Sequence, residues 1–131
     1  MKVLLDTNAY VAFRRGHERV VELVRQAEGV VMSTVVVGEL LYGFRHGTRY
    51  PENFQVLQDF LDSSEVIQID VTWSTAERFG LLSSGLRRKG KPIPTNDVWI
   101  GAHVFESNSE LMTFDRHFAE IDNLPLLMLE S

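Results

Sequence analysis

The first indication of the fold comes from Lys2-Val3-Leu4-Leu5-Asp6-Thr7-Asn8, near the start of the chain. Val3 to Leu5 form a short apolar run typical of a buried strand, and Asp6 ends that run with a carboxylate. Three later acids also stand where an apolar run ends or a helix begins, namely Glu39, Asp97 and Asp115. In a parallel sheet the carboxyl ends of the strands share one edge, which is where ligand sites form. The pattern therefore predicts one site built from four carboxylates.

Apolar periodicity in the rest of the chain predicts alternating strands and helices. Further strands are expected at 30–32, 66–69, 111–114 and 126–129, and helices around 20–27, 34–41, 54–61, 73–86 and 98–105. Such alternation implies right-handed crossovers and a parallel sheet covered by helices on both faces. The expected fold is therefore α/β, a three-layer α/β/α domain with a four- or five-stranded parallel sheet, and residues 1–131 are expected to form a single domain.

Length and composition narrow the functional classes. A chain of 131 residues can bury roughly two-thirds of the surface that its unfolded form exposes. The absence of cysteine excludes disulfides, thiolate metal sites and cysteine nucleophiles. No apolar run approaches the ~20 residues that cross a bilayer. We therefore expect no membrane association and a cytoplasmic location.

The formal charge of −5 at first argues against a nucleic-acid partner. Removing the four predicted site carboxylates from that total leaves −1, and a bound cation would offset part of the charge that was removed. Positive charge is also concentrated in two groups. The first contains Arg87, Arg88, Lys89 and Lys91, and the second contains Arg14, Arg15, His17 and Arg19.

Each acid also has a purely structural interpretation. Asp97 and Asp115 could favour the start of a helix through a cap or the helix dipole, and Asp6 could begin a turn with Thr7 and Asn8. Glu39 could be a solvated helix residue, although its neighbours Val35–Val37 and Leu40–Leu41 are suited to burial. One shared site explains all four positions more economically than four separate structural roles.

The carboxylate side chains of these four residues indicate a site for a divalent metal ion. Mg²⁺ and Mn²⁺ prefer oxygen ligands, and Mg²⁺ keeps several waters, which leaves room for a phosphate and an attacking water. One ion or two would serve, since a pair of ions can stabilise both the attacking and the leaving oxygen. Without metal the converging carboxylates repel, so at least one should hold a proton more readily than it does in water.

Four motifs in order resemble the PIN-domain nucleases, and most closely the VapC toxins of bacterial and archaeal toxin–antitoxin pairs. They are Leu4-Leu5-Asp6-Thr7-Asn8, Val37-Gly38-Glu39-Leu40-Leu41-Tyr42-Gly43, Thr95-Asn96-Asp97 leading into Ile100-Gly101-Ala102, and Leu111-Met112-Thr113-Phe114-Asp115-Arg116-His117-Phe118. The resemblance covers essentially the whole chain, so the expected domain is PIN-like.

The resemblance implies that Asp6, Glu39, Asp97 and Asp115 are the catalytic metal ligands, and that Thr7, Asn8 and Thr113 orient them. It further implies an endoribonuclease that depends on Mg²⁺ or Mn²⁺, a homodimer, and inhibition by a cognate antitoxin protein. The motifs around Glu39 and Lys91 look most like members that act on initiator transfer RNA.

Other functions fit the sequence less well than this one. Histidine acid–base catalysis is disfavoured, because His103 lies in an apolar helix, His17 and His46 look like loop residues, and His117 looks like part of a helix start. No glycine-rich phosphate-binding motif is present. A metal-dependent phosphate-transfer domain usually has a second acid where Asn8 stands. A non-catalytic PIN-like module that binds RNA or protein stays open, although the intact acids argue against it.

Two surface features of the sequence predict where RNA and a second copy of the chain would bind. The segment Gly85 to Pro92, with its four cations, is expected to guide the RNA backbone, although a basic helix end would look the same. Large apolar side chains exceed what a domain of this size buries easily, which favours a dimer interface that includes some of Phe44, Tyr50, Phe54, Trp73 and Trp99.

Overall fold

The structure is a computed structural model that describes residues 1–131. The strands are β1 (Val3–Leu5), β2 (Val30–Ser33), β3 (Val66–Ile69), β4 (Glu110–Thr113) and β5 (Leu126–Met128). The helices are α1 (Thr7–Arg14), α2 (Glu18–Gln26), α3 (Thr34–Arg45), α4 (Tyr50–Leu61), α5 (Trp73–Lys89) and α6 (Thr95–Ser107), and a short 3-10 helix spans Arg116–Glu120.

The five strands form one parallel sheet in the order β3-β2-β1-β4-β5. The chain moves outward from β1 to β2 and β3, then crosses back through α5 and α6 to β4. Because such crossovers are right-handed, this reversal places α5 and α6 on the face opposite α1 to α4. β1 and β4 are therefore neighbours whose connections leave in opposite directions, and open α/β sheets bind ligands at that switch point.

The expected three-layer α/β/α architecture is confirmed, with five strands rather than four. One helix was missing from the sequence-based prediction. Asp6 begins α1 instead of a simple turn, and its side chain accepts a hydrogen bond from the Ala9 amide as a helix N-cap. The helix expected after Asp115 is a 3-10 helix, with Phe118 buried inward as predicted.

The core lies on and around the central strands, where Val3, Leu4 and Leu5 of β1 are all buried. No helix combines the length and apolarity that a bilayer crossing requires. None of the five aromatic residues considered for an interface is fully buried. Trp73 has 81% of its surface exposed, whereas the other four are partly buried and pair with neighbouring rings.

Candidate metal centre

Asp6 is held rigidly at the end of the central strand. Its Oδ1 accepts a hydrogen bond from the Ala9 amide at 2.9 Å, and its Oδ2 accepts one from the Thr113 hydroxyl at 2.5 Å. Only 6% of the residue is exposed. Burial raises the pKa of the Asp6 carboxyl above its ordinary value, and the charges of Asp115 and Glu39 raise it further, while the two hydrogen bonds oppose the shift.

Thr113 joins the ends of the two strands that border the switch point. It is the last residue of β4 and is fully buried. Its hydroxyl donates to Asp6 and accepts a hydrogen bond from the Asp115 amide at 2.9 Å. One side chain thus fixes both the Asp6 carboxylate and the backbone that carries Asp115, which is the orienting role expected for Thr113.

Glu39 reaches the same edge from α3. Its Oε1 accepts a hydrogen bond from the Thr7 hydroxyl at 2.6 Å, and its Oε2 accepts one from the Asn96 side-chain amide at 3.2 Å. Thr7 therefore orients an acid as expected. Asn96 was not predicted to do so, and its only sequence signal is its place directly before Asp97. Asn8 differs from expectation, because it is exposed and hydrogen-bonds to none of the four acids.

Asp97 lies in the first turn of α6. Its pKa is raised to about 6, first by burial and then by the negative charges of Asp115, Glu39 and Asp6, whereas His117 lowers it. Mutual repulsion among four carboxylates requires that they lie close enough to interact. The raised pKa of Asp97 therefore agrees with the expectation that, without metal, at least one of the four carboxylates holds a proton more readily than it does in water.

His117 is part of this cluster, although the sequence suggested only a helix start. Its Nδ1 lies 3.0 Å from Asp115 Oδ1 and 3.6 Å from Asp97 Oδ2. Asp115 caps the 3-10 helix by accepting a hydrogen bond from the His117 amide at 2.9 Å, and this turn brings the imidazole back over the acids. The structural interpretation of Asp115 as a helix cap is thus confirmed, and its role as a metal ligand stays a prediction.

The donor atoms fit a small divalent cation. One ligand atom from each of Asp97, Asp115 and His117 lies within 4.8 Å of the others. Adjacent ligands of an octahedral ion with bonds of about 2.1 Å are about 3 Å apart and opposite ones about 4 Å. The three groups can therefore share one ion with small adjustments, while Asp6 and Glu39 stand beside them, held by Thr113, Thr7 and Asn96.

Two of the four predicted RNA-binding cations contact other groups of the protein, and the other two form no ion pair. Lys89 donates to the Glu120 carbonyl oxygen and pairs with Asp122 at 2.9 Å, and Arg88 donates to Ser84, so both are engaged at the end of α5. Arg87 and Lys91 are exposed and form no ion pair. Arg87 also lines a cavity of about 410 Å³ with residues that lead into α6.

The other histidines have structural roles. His103 is fully buried, and its two ring nitrogens contact the Ser33 hydroxyl and the Asp70 carbonyl oxygen, as expected for a packed histidine. His17 and His46 are not simple loop residues, since His17 caps α2 and His46 ends α3.

Comparison with known proteins gives a consistent result. The family model described as PIN domain matches residues 3–124. The chain is 37% identical over 107 residues to Ribonuclease VapC2 of Haemophilus influenzae, with 79% of each protein covered. It is 30% identical over 135 residues to Ribonuclease VapC2 of Rickettsia felis, with 100% of this chain and 98% of the relative covered.

A solved structure has the same fold over the full length. The crystal structure of VapBC2 from Rickettsia felis bound to a DNA fragment from its promoter superposes with a TM-score of 0.84 at 29% identity. The match covers 99% of this chain and 100% of that one.

Proposed function

The chain belongs to the PIN-domain family, and to the VapC ribonucleases within it, and from this membership we propose that it is a divalent-metal-dependent endoribonuclease acting as the toxin of a toxin–antitoxin pair. The observation that carries the proposal is the gathering of Asp6, Asp97 and Asp115 around the β1–β4 switch point, with Glu39 hydrogen-bonded into the same edge. We propose these four acids as the ligands, with His117 as an additional nitrogen donor beside Asp97 and Asp115, and Mg²⁺ or Mn²⁺ as the ion.

Different hydrogen-bond donors hold the carboxylates of Asp6 and Glu39 in position. Thr113 and the start of α1 fix both oxygens of Asp6, so its carboxylate does not need to reorganise when substrate arrives. Thr7 and Asn96 hold the two oxygens of Glu39 from different elements. A bound divalent cation would offset the charge that develops on a phosphodiester and would activate a water for attack.

The raised pKa of Asp97 makes metal binding at the site dependent on pH. Because the pKa of Asp97 is about 6, its carboxyl in the metal-free protein holds a proton over part of the mildly acidic range. A proton there competes with a cation for the same oxygens. Metal-supported cleavage should therefore weaken as pH falls through that value.

Two partners follow from the same proposal. We propose a small antitoxin protein encoded next to this chain, because the Rickettsia felis relative was solved as a VapBC complex. We also propose a homodimer, supported by the exposed side chains Trp73 and Leu81 on α5. Co-expression with the neighbouring reading frame should give a stable complex and restore growth. Absence of both effects would count against the antitoxin.

For the substrate we propose transfer RNA, with initiator transfer RNA as the first candidate. The support is the likeness of the Glu39–Gly43 and Lys91–Pro94 stretches to members that act on it. Sequencing of RNA ends after brief induction would identify the target directly. Cleavage confined to ribosomal RNA would reject the candidate while leaving the ribonuclease proposal intact.

The central test is Asp6→Asn. Asparagine also caps helices well, so the fold should persist, while loss of one ligand charge should lower metal-supported RNA cleavage on the order of 100-fold or more. Wild-type protein should cut in Mg²⁺ or Mn²⁺ and stop in a chelator, with circular dichroism confirming that both proteins are folded. RNA binding without cleavage at any metal concentration would instead favour a non-catalytic PIN-like module. Phosphate release from small esters without RNA cleavage would favour a phosphate-transfer domain.

A further inference from the structure

A cavity of about 540 Å³ opens between the turn that joins α1 to α2 and the end of β4. Its lining includes Asn8, Arg15, Gly16, His17, Phe114 and Ser131. Asn8 stands two residues after Asp6, and Phe114 directly precedes Asp115. Two of the lining residues are therefore near neighbours in sequence of the acids Asp6 and Asp115.

Two residues of the second basic group of the sequence, Arg15 and His17, line this cavity. Arg14 is turned away, with its guanidinium 5.0 Å from the centre of the Phe13 ring and 5.5 Å from that of Phe60. Arg15 is exposed, forms no ion pair and lines the cavity. Gly16 makes the turn possible, because its φ of +80° is unfavourable for residues with a side chain. The tight turn keeps Arg15 and His17 together at the rim.

His17 lines the cavity and also caps α2. Its Nδ1 accepts a hydrogen bond from the Val20 amide at 3.3 Å, which makes this nitrogen the unprotonated one in the neutral ring. The proton is then on Nε2, which has no partner within the protein. The His17 and Phe114 rings pack in a T-shaped arrangement, with their centres 5.6 Å apart and their planes inclined by 73°.

These groups match the parts of one nucleotide. A guanidinium and a ring N–H are donors suited to phosphate oxygens, and an aromatic ring suits the flat face of a base. The volume falls within the range of about 300 to 1,000 Å³ that is usual for small-ligand sites. An acidic or apolar peptide side chain would use only one of these features.

We propose that this cavity binds one single-stranded nucleotide next to the phosphodiester that is cut, with its base against Phe114 and its phosphate contacted by Arg15 and His17 Nε2. The inference rests on the proposed ribonuclease function and adds a base-binding subsite to it. RNA would then be held on both sides of the acids, by this subsite and by the segment containing Arg87 and Lys91.

The test compares two small probes that differ only in the base, adenosine 5′-monophosphate and ribose 5-phosphate, titrated into metal-free protein and followed by NMR. Wild type should bind the nucleotide more tightly, on the order of 10-fold, with shifts centred on Gly16 and Phe114. Phe114→Leu should remove most of this preference. Arg15→Gln should weaken both probes by a similar factor, on the order of 10-fold, because it removes the phosphate contact.

Two further variants separate binding from folding. His17→Asn keeps a good helix cap while removing the ring donor, so it should weaken both probes without lowering the melting temperature. Arg25→Gln is the matched control, since Arg25 is an exposed cation of α2 already paired with Glu22, and it should leave both affinities unchanged. Equal binding of the two probes by wild type, or equal effects of Arg15→Gln and Arg25→Gln, would overturn the subsite.

The outcomes also separate this inference from the proposed function. Metal-dependent RNA cleavage without base-dependent probe binding would reject the subsite alone. Probe binding as expected without RNA cleavage would reject the ribonuclease and leave the nucleotide site. If Arg15→Gln abolished capture of the co-expressed antitoxin while leaving probe binding unchanged, the cavity would be a protein contact and the inference would be wrong.

Discussion

The imidazole of His117 contacts the carboxylate of Asp115, with Nδ1 and Oδ1 3.0 Å apart, and the same nitrogen lies 3.6 Å from Asp97 Oδ2. A nitrogen donor therefore stands among oxygen donors. Mg²⁺ strongly prefers oxygen, whereas transition ions from Mn²⁺ onward accept imidazole more readily. This arrangement should make the centre more selective for Mn²⁺ than four acids alone would be.

His117→Ala is expected to weaken Mn²⁺ binding on the order of 10-fold and Mg²⁺ binding much less, because only the nitrogen ligand is lost. Pulsed electron paramagnetic resonance of the Mn²⁺-loaded protein should detect a coordinated ¹⁴N nucleus in wild type and not in the variant. His46→Ala, at an exposed histidine that ends α3, is the control. Mn²⁺ bound without nitrogen coupling in wild type would assign His117 to the turn alone.

Asp97→Asn is expected to stabilise the metal-free protein at neutral and higher pH. The folded-state pKa of about 6 exceeds the ordinary 3.8, so the folded protein binds more protons and the wild type loses stability as pH rises between these values. The gain in free energy of unfolding should be on the order of 2 kcal/mol at pH of about 8 and should vanish below about pH 4.

Urea unfolding of both proteins across this range measures the difference. Burial lowers the pKa of His103, which gives the opposite slope, but both proteins share that contribution and it cancels. Adding Mn²⁺ should reverse the order of stability, since the wild type binds the ion more tightly. A pH-independent difference would contradict the raised pKa of Asp97, which burial and the neighbouring acids produce in the folded protein.

Asn96→Ala is expected to lower cleavage by about 10- to 100-fold while leaving the fold intact, because Glu39 loses the donor that fixes its Oε2. Metal affinity, measured by calorimetry, should fall in parallel. Asn53→Ala, at an exposed position in α4, provides the control. Full activity of Asn96→Ala would mean that Thr7 alone suffices to hold Glu39.

Reversing Arg87 and Lys91 to glutamate is expected to flatten the salt dependence of RNA binding, by about 0.7 in the logarithmic slope for each lost phosphate contact. Binding would be measured in an Asp6→Asn background to prevent cleavage. The matched control reverses Arg25 and Arg49, two exposed arginines already paired with glutamates. Equal slopes in both double variants would assign Arg87 and Lys91 to the basic helix end.

Trp73→Glu combined with Leu81→Glu is expected to convert a dimer into a monomer. These side chains are 81% and 72% exposed and lie on one side of α5, so they form an apolar surface without a partner in the monomer. Light scattering after size exclusion gives the mass. Val56→Glu with Ile67→Glu, at exposed apolar positions outside α5, should leave the mass unchanged. A monomeric wild type at micromolar concentration would contradict the dimer.

The strands and the positions of the acids were predicted correctly because they depend on local residue patterns. The strands followed from short apolar runs, and three of the four acids stand close to strand ends or in the first turn of a helix, so the sheet edge could be anticipated. Helix α1 was missed because only Ala9 and Tyr10 are buried within it, which leaves a weak periodic signal. The contacts of Asn96 with Glu39 and of Lys89 with Asp122 were not predicted, because these partners are distant in the chain. Contacts of this kind depend on topology rather than on local periodicity.

The hydrogen bond between Thr113 and Asp6 spans 107 positions of the chain. Synthesis proceeds from the amino terminus, so β1 leaves the ribosome long before β4, the strand that must lie beside it. Until residue 113 has emerged, Asp6 lacks one of its two donors and Asp115 does not yet exist. The acid cluster is therefore completed only after β4 has paired with β1, which makes its assembly one of the last steps in forming the fold.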